Sequence, residues 1–89
     1  EKVLQQEIER VVKVLSDVEE AVAIPMKHEI FGNTIKLIVQ RTETSEITAN
    51  EILSYCIKNL ERYKVPTKIE FITDFPKTSY GKIKRFMLK

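Results

Sequence analysis

Residues 34–41 alternate strictly: Ile35, Leu37 and Val39 fall on one face, and Lys36, Ile38 and Gln40 on the other. A period of two marks a β-strand, because successive side chains leave the backbone on opposite sides. The rest of the chain must then supply strands to pair with it and a layer to cover it. Residues 18–24 are small and β-branched and form a first strand, closed by Pro25 because proline cannot donate to a ladder. Residues 26–33 connect the two and contain Gly32-Asn33, a turn signal. Residues 68–73 form a third strand, with Ile69 and Phe71 on one face.

Helical spacing fills the gaps. Leu4, Ile8, Val11, Val12 and Leu15 share one face of a first helix, which Ser16-Asp17 ends. The polar run Thr42-Glu43-Thr44-Ser45-Glu46 is a loop, and Thr48 with Glu51 makes a capping box for a second helix. Ile52, Leu53, Cys56, Ile57 and Leu60 line its apolar face, and it ends before Val65-Pro66. Residues 74–80 form a loop, and residues 81–88 a short last helix with Ile83, Phe86 and Met87 inward. The expected fold is α+β, a small three-stranded sheet flanked by helices in the order α-β-β-α-β-α.

Eighty-nine residues make one small domain, residues 1–89, with room for a single core. Apolar content of 43% and charged content of 31% are those of a soluble globular protein. No apolar run approaches the ~20 residues that span a bilayer, and no signal-peptide pattern opens the chain. One cysteine cannot form an internal disulfide, so a reducing, cytoplasmic setting is expected. The chain opens on Glu1 rather than Met, as an excised domain or a processed chain would.

The net charge of +2 hides an asymmetry. Residues 1–76 carry ten Lys/Arg against thirteen Asp/Glu, whereas residues 77–89 carry Lys77, Lys82, Lys84, Arg85 and Lys89 and no acid. An anionic partner would meet the domain at that end. Basic tails are also commonly just solvated.

Most titratable groups point to no chemistry. Cys56 lies on an apolar helix stripe and reads as a core residue. His28 sits in a charged connection without companion ligands, and no metal site is expected. Glu19 and Glu20 adjoin a strand start and read as solvated. No GxGxxG or GxxxxGK[ST] phosphate loop is present. The loop Pro76-Lys77-Thr78-Ser79-Tyr80-Gly81-Lys82 differs. Pro76 fixes φ at its entry, and Thr78 and Ser79 can satisfy turn backbone groups. Gly81 permits a positive φ or a close backbone approach to a ligand. Lys82 would then project near a helix N-terminus, where amides and dipole favour an anion.

Four segments together resemble one superfamily. Val3-Leu4-Gln5-Gln6-Glu7-Ile8-Glu9-Arg10-Val11-Val12 is similar to a "P-x-E-I-E-x-V-L" helix. Ile30-Phe31-Gly32-Asn33-Thr34-Ile35-Lys36-Leu37-Ile38-Val39 is similar to a "G-E-x-V-K-A-F-V-V" strand. Leu60-Glu61-Arg62-Tyr63-Lys64-Val65-Pro66 is similar to "L-x-x-Y-K-V-P", and the closing segment to "L-P-K-T-x-x-G-K-I-x-R". In this order, over essentially all 89 residues, they resemble the C-terminal lid of the adenylate-forming (AMP-binding) enzymes, in particular acyl-CoA synthetases.

The resemblance implies a mobile lid on a large N-terminal lobe that binds ATP and a carboxylic acid. It implies that Lys82 is catalytic, with Gly81 supporting its loop. Lys82 would stabilise charge as carboxylate and ATP become acyl-adenylate and pyrophosphate. The lid would then turn to a second face for thioester formation with coenzyme A, or with carrier-protein pantetheine. ATP, Mg2+ and coenzyme A are the cofactors implied for the whole enzyme, none of them bound by this domain alone. The phosphate loop, ribose-binding aspartate and acid pocket would precede Glu1, so the domain alone is expected to be inactive. Pro76-x4-Gly81-Lys82 also fits the pattern by which some of these enzymes are recognised by a lysine acetyltransferase, which would neutralise Lys82.

Two departures stand out. Ala23-Ile24-Pro25-Met26 replaces the family's Gly-x-Pro-Asp, with a longer connection to Gly32. Lys84 stands where carrier-protein-loading domains commonly have aspartate, which favours a coenzyme A ligase over a lid that serves a carrier protein. A free-standing lid acting in trans is a further alternative. So is a small basic nucleic-acid-binding domain, but the tail lacks the interleaved aromatics that stack single-stranded bases. No nucleic acid and no membrane are expected as partners. The identity of the acid is not written in these residues.

Overall fold

A computed structural model describes residues 2–30 and 32–84. Helix α1 (Lys2–Lys13) leads into strand β1 (Val18–His28) and strand β2 (Gly32–Arg41). Helix α2 (Ala49–Asn59), one 3-10 turn (Arg62–Lys64) and strand β3 (Lys68–Phe71) follow. The sheet order is β1-β2-β3, with β1 antiparallel and β3 parallel to β2. A parallel pair needs a crossover, and α2 supplies it. The α+β class and the order α-β-β-α-β are those expected.

β2 lies in the middle, so both of its faces are covered. Ile35, Leu37 and Val39 join Ile8 and Val12 of α1 and Ile52 and Cys56 of α2 in the main core. Ile38 points the other way, into a smaller cluster with Val22 and Phe75, against which Ile24, Ile72 and Ile83 pack. The helices thus cover one face, and the segment after β3 covers the other.

Two sequence expectations change in these elements. β1 runs on through Pro25, which pairs with Ile35, instead of ending there. β1 is an edge strand, and the outward-facing amides alternate along it. Ala23 donates outward to Glu9 Oε2 at 2.8 Å, so Pro25, two residues on, stands where no ladder donor is needed. A register shift between Val18 and Glu20 keeps Val18 and Ala21, three apart, in the same core. Ile57 is 60% exposed, because Ile52, Cys56 and Leu60 form the inner i, i+4, i+8 ridge and Ile57 lies one step round the helix.

The last expected helix is not formed where it can be followed. Residues 81–84 are not helical, and Ile83 instead bridges Lys77 in antiparallel fashion. Residues 85–88 of that helix lie outside the described residues.

The capping box is present: Thr48 Oγ1 accepts from Glu51 N at 3.2 Å, and Glu51 Oε1 accepts from Thr48 N at 2.8 Å. Thr48→Ala is expected to cost about 1 kcal/mol by urea denaturation; no shift in the midpoint would show that the cap is redundant. Among the described residues no helix is long and apolar enough to cross a membrane.

Candidate functional site

The C-terminal loop is a hairpin built on Thr78. Gly81 N donates to Thr78 O at 2.9 Å, and Thr78 N donates to Lys82 O at 2.7 Å. Gly81 has φ +86, and no non-glycine residue among those described has a positive φ. This is the bonding of a type I turn closed by a G1 bulge, in which the left-handed position falls to glycine. A side chain at Gly81 would meet nothing within 4 Å, so the backbone angle alone is what calls for glycine there. One rung further out, Lys84 N donates to Pro76 O at 2.7 Å.

The hairpin is anchored at its base and bare at its tip. Phe75 is buried and Ile83 packs against the Val22–Ile38 cluster, which ties both arms to the sheet. Adjacent residues of an extended arm point to opposite sides. Ile83 faces the sheet, and Lys82 therefore faces away and is exposed. Tyr80, at the tip, is 95% exposed.

The surroundings of Lys82 differ from those expected at a helix N-terminus. Thr78 Oγ1 accepts from Tyr80 N at 3.3 Å and from Lys82 N at 3.1 Å, and Gly81 N is taken by Thr78 O. The amides of Tyr80, Gly81 and Lys82 are thus occupied within the loop. Those amides are closed to an anion, which would meet the Lys82 ammonium instead. None of the ion pairs among the described residues involves Lys82. Such a cation suits phosphate or carboxylate oxygens, but it needs companions from outside these residues to enclose a ligand.

Near the base, Glu20 is paired, not merely solvated. Partial burial pushes its carboxyl up, but the Lys13 ammonium at 2.6 Å, the Ala21 amide and the charge of Lys77 outweigh that and hold it below the usual carboxylate range. Glu19 is exposed. Cys56 is fully buried, and desolvation pushes its thiol up to about 11, so it is an inert core residue. The backbone of His28 ends β1 opposite Gly32, a strand position where a connection was expected. No group of three or more His, Cys, Asp or Glu gathers among the described residues to hold a metal.

Two lysines whose ion pairs escaped sequence reasoning are Lys36 and Lys64. Lys36 is 5% exposed and meets Glu70 at 3.5 Å across β2 and β3. Lys64 Nζ reaches Glu7 at 2.9 Å and Glu61 at 3.3 Å, pinning the 3-10 turn to α1. Lys36 and Glu70 lie far apart in sequence and become neighbours only once β3 aligns with β2, so no local pattern announces them. A hollow of about 710 Å³ between Glu19, Arg41, Glu43 and Thr73 does not include Lys82. In its wall the Arg41 guanidinium lies 4.2 Å over the Phe71 ring.

Known proteins are similar to this chain in sequence and fold. The family model of the AMP-binding enzyme C-terminal domain matches residues 7–82. A long-chain-fatty-acid–CoA ligase of Haemophilus influenzae is 44% identical over 87 residues, covering 98% of this chain and 15% of that protein. A 3,4-dihydroxybenzoate–[aryl-carrier protein] ligase of Bacillus anthracis is 35% identical over 88 residues, 99% of this chain and 20% of that protein. The crystal structure of ATP-bound MatB from Rhodopseudomonas palustris superposes with a TM-score of 0.88 at 26% identity, over 94% of this chain and 17% of that one. The chain thus spans about one sixth of the length of such relatives. With the family model running from α1 to Lys82 itself, this chain belongs to the family of AMP-binding enzyme C-terminal domains.

Proposed function

We propose that the chain is the mobile C-terminal domain of an ATP-dependent acid–thiol ligase, and that Lys82 is its adenylation lysine. The observation that carries this reading is an exposed cation with no ion pair among the described residues, aimed outward from a braced hairpin. The family supports the same reading. In the first half-reaction a carboxylate oxygen of the acid bonds to the α-phosphorus of ATP, and the bond to pyrophosphate breaks. Negative charge builds on oxygens around that phosphorus, and the Lys82 ammonium stabilises it there. In the second, a thiol sulfur gives up its proton to solvent and bonds to the acyl carbon, and the acyl carbon–oxygen bond to AMP breaks. Lys82 has no part in that step, so the domain must present another face.

ATP, the acid and the thiol are substrates shared with a larger lobe. Mg2+ fits no cluster among the described residues, so its ligands would come from that lobe and from the phosphates. Coenzyme A is the preferred acceptor, since Lys84 replaces the aspartate typical of carrier-loading domains and the relative at 44% identity is a CoA ligase. Carrier-protein pantetheine is the second reading, and the aryl-carrier protein ligase motivates it. Acetylation of Lys82 would remove the charge this role requires.

The test is a product assay of the full-length enzyme over a panel of carboxylic acids with ATP and coenzyme A. At least one acid is expected to drive ATP–pyrophosphate exchange and the release of AMP. If ATP were split to ADP and orthophosphate instead, the assignment would be wrong.

A further inference from the structure

We propose that Thr78 is the positioning residue of Lys82, its hydroxyl fixing the turn from which the ammonium is aimed. This rests on the assignment of Lys82 to adenylation. Thr78 makes four hydrogen bonds to the three residues at and before the lysine. Its Oγ1 accepts from Tyr80 N at 3.3 Å and Lys82 N at 3.1 Å, its carbonyl accepts from Gly81 N at 2.9 Å, and its amide donates to Lys82 O at 2.7 Å. The backbone of Lys82 is therefore held at both its N–H and its C=O by one residue.

The two kinds of bond do different jobs. The two backbone bonds define the hairpin and survive any substitution of the side chain except proline. The two bonds to Oγ1 fix how the Ser79–Tyr80 and Gly81–Lys82 peptide planes are turned, and so the direction in which the Lys82 Cα–Cβ bond leaves. Threonine suits this because its β-branch restricts χ1, which keeps the oxygen over the turn. The site is exposed, so without the hydroxyl water can bond the freed amides and little stability is lost. Aim is another matter. Lysine is a long, flexible side chain, and a misplacement of about 1 Å at a reacting centre can cost about 10²-fold in rate. Losing the hydroxyl should thus hurt the step that uses Lys82 far more than it hurts the fold.

The experiment measures two half-reactions in the full-length enzyme: ATP–pyrophosphate exchange, and consumption of preformed acyl-adenylate by the thiol. Thr78→Val keeps shape and β-branching but removes the acceptor, Thr78→Ser keeps the acceptor, and Lys82→Ala serves as reference. Thr78→Val is expected to lower the kcat of exchange about 10- to 100-fold, with the KM for ATP and the thiol step nearly unchanged. Thr78→Ser is expected to restore exchange to near wild type. If Thr78→Val exchanged like wild type while Lys82→Ala did not, the positioning role would be overturned and the role of Lys82 would stand. Equal loss of both half-reactions in Thr78→Val, or failure of serine to rescue, would likewise overturn it, as marks of a general structural defect. Full activity in Lys82→Ala would instead remove the assignment beneath it.

Discussion

Replacing Lys82 with alanine in the full-length enzyme is expected to lower adenylation by about 10²–10³-fold while sparing thioester formation from preformed acyl-adenylate. The size follows from how little else the loop can contribute. The amides of Tyr80, Gly81 and Lys82 are all engaged within the turn, so none of the three is left to share the developing charge. The selectivity follows from exposure. Lys82 makes no ion pair among the described residues, and its backbone bonds do not depend on its side chain. The variant should therefore melt with the wild type, within the ~0.5 kcal/mol typical of surface substitutions. An alanine enzyme that exchanged pyrophosphate at the wild-type rate would show that another group stabilises the transferring phosphoryl oxygens. Loss of both half-reactions together would show that Lys82 acts on the fold or on the docking of the domain.

The fold was legible where a single local rule decides the outcome. Alternation over residues 34–41 gave β2, because one face meets two helices and a strand one register off would expose Ile35, Leu37 and Val39. Thr48 and Glu51 gave the start of α2 through hydrogen bonds that need only four consecutive residues. The misreadings came where tertiary position decides. Pro25 ends a central strand but not an edge strand, and the chain does not announce which strand is the edge. Ile83, Phe86 and Met87 have helical spacing, yet Ile83 is committed to a hairpin by bonds that converge on Thr78 and by the Val22–Ile38 cluster. The candidate lysine was visible from its motif, but its surroundings were not. A helix N-terminus was expected to help it hold an anion, and the loop that formed uses those amides itself.

Leu37→Ala is expected to destabilise the 89-residue chain by about 2–5 kcal/mol, the largest stability effect foreseen here. Leu37 is fully buried in the central strand, in one cluster with Ile8 and Val12 of α1 and Ile52 and Cys56 of α2. Truncation opens a cavity beneath two helices that pack on each other and on the sheet, so neither can settle inward without disturbing the other. A small domain has about 5–15 kcal/mol in all, so the loss would be a large part of its stability. Urea titration should show a lower midpoint with an unchanged slope. Ile57→Ala, at a site 60% exposed on α2, is the matched control and should shift the midpoint little. The contrast separates inner ridge from outer flank on the helix side, where the sequence pattern alone had put Ile57 with the core. A loss below about 1 kcal/mol for Leu37→Ala would mean that the helices close the gap by sliding. The helix layer would then be a pliable cover, and the rigidity of the sheet beneath the Lys82 hairpin would have to come from its other face, where Phe75 and Ile83 sit on Val22 and Ile38.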